Sequence, residues 1–183
     1  AFGVVSGAAP ETPAFFSQGT SIATAFNGAY VAYPADMDND GDMDVVGAAA
    51  IDDEIAWFEN DGSQNFTKHS VATAIDGAKD VEATDMDNDG DIDIVSISTL
   101  DDRLLWFEND GSQNFTLRTI SSVADGGFGI HTNDLDGDGD MDVLSATFFD
   151  NRIAWYENDG SQNFTTHSIS TTVTGALEVF SID

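Results

Sequence analysis

The chain has 183 residues, 41% of them hydrophobic and 10% aromatic, which is enough for the core of one ordinary domain and too much for a disordered acidic tail. Against 34 acids stand five basic residues, and the formal charge of −29 disfavours nucleic acid and anionic membranes as partners. The lack of cysteine excludes a disulfide framework, thiol catalysis and Cys-type zinc or iron–sulfur sites.

In chain order, residues 4–10 (VVSGAAP) resemble residues 45–51 (VVGAAAI), residues 12–16 (TPAFF) can stand for a Trp-bearing strand, and residues 21–28 (SIATAFNG) match residues 70–77 (SVATAIDG). A competing ungapped register keeps the last match and leaves this first unit one strand short. Residues 28–36 (GAYVAYPAD) read as a strand running into the acidic loop 36–44 (DMDNDGDMD). Strand candidates follow at 45–50, 54–59, 66–71 and 77–84, then a second loop at 85–93 (DMDNDGDID). Further candidates lie at 94–99, 103–108, 115–120 and 128–133, before a third loop at 134–142 (DLDGDGDMD). The last set is 143–148, 152–157, 164–169 and 175–182. These runs are short, rich in Val, Ile, Phe and Trp, and bounded by Asp, Asn and Gly, which is strand and turn chemistry. Asn-Asp-Gly at 60–62, 109–111 and 158–160 supplies residues that tolerate the positive φ of a hairpin turn.

The loops recur every 49 residues without insertion, so one supersecondary unit is repeated as 36–84, 85–133 and 134–182. Four strands per unit is the dimension of a propeller blade. The expected fold is an all-β propeller of four-stranded blades in a single domain, 1–183. Residues 175–183 (GALEVFSID) align with 28–36, so a fourth, composite blade is expected from 1–27 and 175–183. The alternative is half of a larger ring, completed by a second chain.

Each loop sets five carboxylates in nine residues, which repel one another unless a hard cation sits among them. Alternate Asp oxygens with a bend-permitting Gly form a ligand set for Ca²⁺, about three ions per chain. Side-chain ligands are expected from Asp36, Asp38, Asp40 and Asp44, with the carbonyl of Asp42. The equivalents are Asp85, Asp87, Asp89 and Asp93 with Asp91, and Asp134, Asp136, Asp138 and Asp142 with Asp140. The twelfth position, Glu in a helix–loop–helix site, is Gly47, Ser96 or Ser145 here, so strands flank these loops. A metal-free acidic turn and Mg²⁺ are the rival readings, and the expected role of the ions is to staple loop to blade.

The acidic loop followed by Val-Val and then IAWFENDGSQNF resembles the FG-GAP/VCBS repeat family, also found in integrin α-subunit heads and integrin-like fungal lectins. The resemblance implies a β-propeller with Ca²⁺ held in the hairpin between the first and second strands of each blade. It covers residues 36–183. Most such propellers have more blades than the four counted here.

Trp57, Trp106 and Trp155 share one column, open either to packing between blades or to stacking on sugar rings, with Glu59, Glu108 and Glu157 two residues on. Asn65, Asn114 and Asn163 head glycosylation sequons whose repetition points to a structural origin. The columns that diverge between copies are Tyr33, Glu82, His131 and Phe180, beside Val31, Asp80, Gly129 and Glu178. Asp80, Glu82, His131 and Glu178 are expected to meet near the propeller axis. His69 and His167 fall in outer strand candidates. No nucleophile motif or phosphate loop accompanies these groups, so the expected protein is no enzyme.

Millimolar extracellular Ca²⁺ would saturate such loops, no membrane-length apolar run exists, and no leader is visible at the Ala1 end. The calcium argument leads to the expectation of a secreted or cell-surface protein. The expected function is recognition, of carbohydrate in the first instance, with Trp57, Trp106, Trp155, Glu82 and His131 as candidate ligand contacts. A protein-interaction or adhesion propeller is the alternative. A polysaccharide-active enzyme using the axial acids and His131 is the third.

Overall fold

Strand-forming runs between Asp, Asn and Gly turns fold here into three antiparallel sheets. The structure, a computed structural model, describes residues 21–23 and 25–182. Residues 4–10, 12–16 and Asp183, expected in the composite blade, lie outside the described residues.

The first sheet contains β1 (Ala29–Ala35), β2 (Asp44–Ala49), β3 (Glu54–Asn60) and β4 (Phe66–Ala72) in that order. The second contains β5 (Ala78–Thr84), β6 (Asp93–Ser98), β7 (Leu104–Asn109) and β8 (Phe115–Ser121). The third contains β9 (Gly127–Asn133), β10 (Asp142–Thr147), β11 (Arg152–Asn158) and β12 (Phe164–Ser170). Among the described residues there is no helix, and hence none long and apolar enough to cross a membrane.

The expected strands lie within a residue or two of the observed ones. The systematic difference is that Asp44, Asp93 and Asp142 open β2, β6 and β10 instead of closing the loops. Each blade starts one strand before its repeat: β5 ends the first copy in sequence but heads the second sheet. The acidic loops therefore join the first and second strands of each blade.

β6 and β10 are buried along their whole length, which explains why IVSIS and VLSAT show no polar alternation. The outer strands β4, β8 and β12 alternate towards solvent. The core lies between blades. Val46, Ala48, Ile55 and Trp57 of the first pack with Val81, Ile94, Leu105 and Phe107 of the second. Val95, Leu104 and Trp106 of the second pack with Ile130, Val143, Ala154 and Tyr156 of the third.

Each first strand carries a bulge near its start. Ala29 pairs with Ala49 and Val31 with Ala48, leaving Tyr30 as the extra residue. Lys79 and Phe128 hold the same place in β5 and β9.

The expected strand at 175–182 is corrected: the segment joins no ladder among the described residues. It still runs beside β9, since a Cβ on Gly129 would lie 2.5 Å from the Leu177 carbonyl oxygen and 2.9 Å from the Glu178 Cα. Asn133 Nδ2 donates to Ser181 Oγ at 2.6 Å. The segment's expected ladder partner in the composite blade, residues 4–10, lies outside the described residues.

Candidate functional site

The first and last Asp of each loop shape it before any ligand is considered. Asp36 accepts the amides of Asp40 at 3.1 Å and Gly41 at 3.0 Å, and Asp85 and Asp134 accept the matching amides in their own loops. The tight path needs left-handed backbone at Asn39, Asn88 and Gly137, with φ of 59°, 61° and 82°. Asp44, Asp93 and Asp142 are fully buried. Asp93 accepts the Met86 amide at 3.1 Å and the Asn109 amide at 2.7 Å, and Asp44 and Asp142 make the same pair of bonds.

These turns bring carboxylate oxygens of Asp36, Asp38 and Asp40, of Asp85, Asp87 and Asp93, and of Asp134, Asp136 and Asp138 within 4.8 Å of one another. The side chains of Asp42, Asp91 and Asp140 point elsewhere, onto Gly62, Gly111 and Gly160, where a Cβ would stand 2.4 Å from a carboxylate oxygen. That leaves the carbonyl as the group these residues can offer a cation.

The clusters fit a hard cation. Asp87 Oδ1 is buried and accepts no hydrogen bond, a costly state for a carboxylate oxygen unless an ion fills the place. Burial first, then repulsion from Asp89, Glu108 and Asp85, pushes the Asp87 carboxyl up. Burial pushes the Asp93 carboxyl up to about 7, against the amides of Asn109 and Met86. Asp38, Asp44 and Asp136 are raised too, burial leading in each. A divalent ion would reverse this by favouring the ionised forms. Asp36, Asp38, Asp40 and Asp44 would hold it in the first loop, with their equivalents in the others.

The residues that brace the loops were less legible. Asn60, Asn109 and Asn158 donate their side-chain amides to the carbonyls of Met43, Ile92 and Met141 at 3.1–3.2 Å, tying each β-hairpin tip to the acidic loop. The fixed Asn after each Glu of the Trp strand was the available signal, and turn propensity explained it too easily. Between blades, Asn39 reaches Asp91 at 3.4 Å and Asn88 reaches Asp140 at 3.2 Å. The sequon asparagines are structural in the same sense. Asn65, Asn114 and Asn163 donate to Asp61, Asp110 and Asp159, holding those carboxyls below the ordinary range.

In the Trp column, Trp57 and Trp106 are 3% and 1% exposed between blades, while Trp155 is half-buried. His69 stacks on Trp57 and His167 on Trp155, each at 4.6 Å, and the Arg118 guanidinium lies 5.2 Å over Trp106. Glu59 and Glu157 bond those histidines at 2.7 and 2.5 Å, and Glu108 bonds Arg118. The indoles of Trp57 and Trp106 thus pack between blades and offer no free face to a sugar.

The axial acids do converge. Glu82 Oε1 meets His131 Nδ1 at 3.1 Å, and Oε2 accepts the Thr132 amide at 2.6 Å and hydroxyl at 2.8 Å. Asp80 accepts the Ile130 amide at 3.0 Å. Both carboxylates bracket β5 to β9. Burial pushes the Asp80 carboxyl up to about 6, with Glu82 and Glu178 adding repulsion against the amides of Ile130 and Val81. Asp80 and Glu178 line a common cavity.

Stacked four-stranded antiparallel blades, each with an acidic loop between its first two strands, define a β-propeller architecture. A family model for FG-GAP-like repeats matches residues 36–96, 85–145 and 134–183, and the chain belongs to this family. No curated protein matches it. Among solved structures, an Agrocybe aegerita lectin, described for its specific recognition of non-reducing terminal N-acetylglucosamine, is similar in fold. The TM-score is 0.56 at 19% identity, covering 80% of this chain and 39% of that one.

Proposed function

We propose that the chain is an extracellular, calcium-stabilised recognition propeller that binds carbohydrate and carries out no chemistry of its own. The observation that carries the reading is how its polar groups away from the loops are spent. Asp80, Glu82 and His131 bracket β5 to β9, while Glu59, Glu108 and Glu157 each hold the side chain, His69, Arg118 or His167, that covers a Trp. Such a scaffold presents surface, with these acids and histidines spent on holding strands and indoles in place. The carbohydrate ligand is supported by the likeness to the Agrocybe aegerita lectin, and calcium by the unpartnered Asp87 oxygen. On a broad glycan array in millimolar Ca²⁺ we expect binding to at least one glycan class, lost in EDTA. Silence across the array with the fold intact would sink the carbohydrate assignment.

A protein-interaction or adhesion propeller is the second reading. It is favoured by the exposed Phe149 and Phe180, residues that are 58% and 71% accessible.

The proposed architecture is one domain of four blades, with the fourth built from residues 1–27 and 175–183. It is supported by a cavity whose walls include Tyr30, Lys79, Phe128 and Leu177, one residue from each of β1, β5 and β9 and one from the segment that runs beside β9. Light scattering should return the 19.4 kDa of one chain. Twice that mass would instead favour a ring shared by two chains.

A further inference from the structure

We infer that the axial cavity is a binding site for a compact organic cation, a primary or methylated ammonium, separate from the acidic loops. The inference does not rest on the carbohydrate reading. A β-bulge re-aims the side chain of its extra residue. Here the bulges at Tyr30, Lys79 and Phe128 turn three neighbouring side chains onto one another. The Lys79 ammonium lies 3.4 Å from the centre of the Tyr30 ring and 4.3 Å from that of Phe128. Two aromatic faces at that spacing make a cation box, and the chain's own lysine fills it.

Beside the box the cavity has a volume of about 240 Å³, and its charged walls are Lys79 itself and the carboxylates of Asp80 and Glu178. The same two residues line an adjoining cavity of about 180 Å³, with Gly129, Ile130 and Phe180, so the carboxylates stand where the two spaces meet. Among the described residues Lys79 forms no ion pair, and neither Asp80 nor Glu178 has a cationic partner. Asp80 uses its oxygens on the amides of Val81 and Ile130, which leaves one acceptor position on each. Asp80, partly buried, and the exposed Glu178, neither with a cationic partner among the described residues, attract cations to this point in a chain of charge −29. The volume is below that of drug-sized pockets, so the ligand is small. Its ammonium displaces that of Lys79 from the aromatic faces and takes Asp80 and Glu178 as counter-charges.

The test uses the calcium-loaded chain at about 0.15 M salt, where long-range attraction is screened, with titration calorimetry and NMR. The probes are tetramethylammonium, butylamine and the neutral analogue 3,3-dimethyl-1-butanol. We expect saturable binding of the two cations and at least tenfold weaker binding of the alcohol. Glu178→Gln, on a segment outside every ladder, should weaken cation binding about tenfold while leaving the melting temperature unchanged, and Tyr30→Leu should weaken it severalfold. Lys79→Ala should tighten it severalfold by vacating the box. Equal affinity for the alcohol, an unaltered E178Q isotherm, or K79A binding no tighter than the parent would each overturn the assignment.

Discussion

Stripping calcium should lower the melting temperature by about 15 °C or more, and should reverse the sign of its dependence on pH. A ligand at a hundredfold excess over its Kd stabilises the native state by about 2.7 kcal/mol, so three loops together lose about 8 kcal/mol. For a chain of this length each kcal/mol shifts the midpoint by roughly 2–4 °C. The pH effect follows from the raised carboxyls. Without metal, Asp93 titrates at about 7 and Asp80 at about 6 in the folded state, against 3.8 for an ordinary Asp. Their protonated forms are favoured by folding, so that stabilisation is complete below about pH 4 and is lost as pH rises through 6 to 7. The metal-free protein should therefore melt higher at pH 5 than at pH 8. The loaded protein should do the opposite, because loading needs ionised carboxylates. Calorimetry on chelator-stripped and calcium-saturated samples across that range checks both statements. An unchanged midpoint on stripping would remove the ions from the account of stability.

The second large effect belongs to Asp93. Replacing it with alanine leaves the buried amides of Met86 and Asn109 without acceptors, at about 1–3 kcal/mol each. The expected cost is about 3 to 5 kcal/mol in the metal-free protein, before any loss of ion binding. Asp89→Ala is the control, because Asp89 is exposed and its Oδ1 serves only the Asp91 amide in the same loop. It should abolish loading of the second loop yet change metal-free stability by no more than about 0.5 kcal/mol. Denaturant melts of both variants with and without calcium separate the two jobs a loop aspartate performs. Equal metal-free stability for D93A and D89A would show that Asp93 is a ligand and nothing more.

This division between ligand and brace marks the limit of what the sequence discloses. Alternating aspartates report their own chemistry, so the loops and their ladder of strands could be read directly from DMDNDGDMD and the hydrophobic runs after it. Burial of Asp44, Asp93 and Asp142 at the mouth of a strand depends on which backbone amides the next hairpin presents, and that is a matter of register. The bulges at Tyr30, Lys79 and Phe128 depend on register as well: no local propensity marks the residue that lacks a partner across the sheet. For the Trp column the sequence left packing and sugar stacking open, since an indole suits either. The cross-strand neighbours His69, Arg118 and His167 decide in favour of packing at Trp57 and Trp106. The meeting of Glu82 with His131 was legible from divergence between copies alone, because residues at one position in successive units must sit side by side around an axis.

The half-step between repeat and blade has a genetic consequence. The 49-residue unit carries three strands of one blade and the leading strand of the next, so every seam between blades is crossed by a unit rather than bounded by one. Gain or loss of a unit by recombination changes the number of blades by one and recreates the same seam on both sides, with no new edge left to cover. A break at a unit boundary, between residues 84 and 85, does the reverse. It parts β5 from β6, its ladder partner, and from the rest of its sheet, and neither fragment then holds a whole second blade.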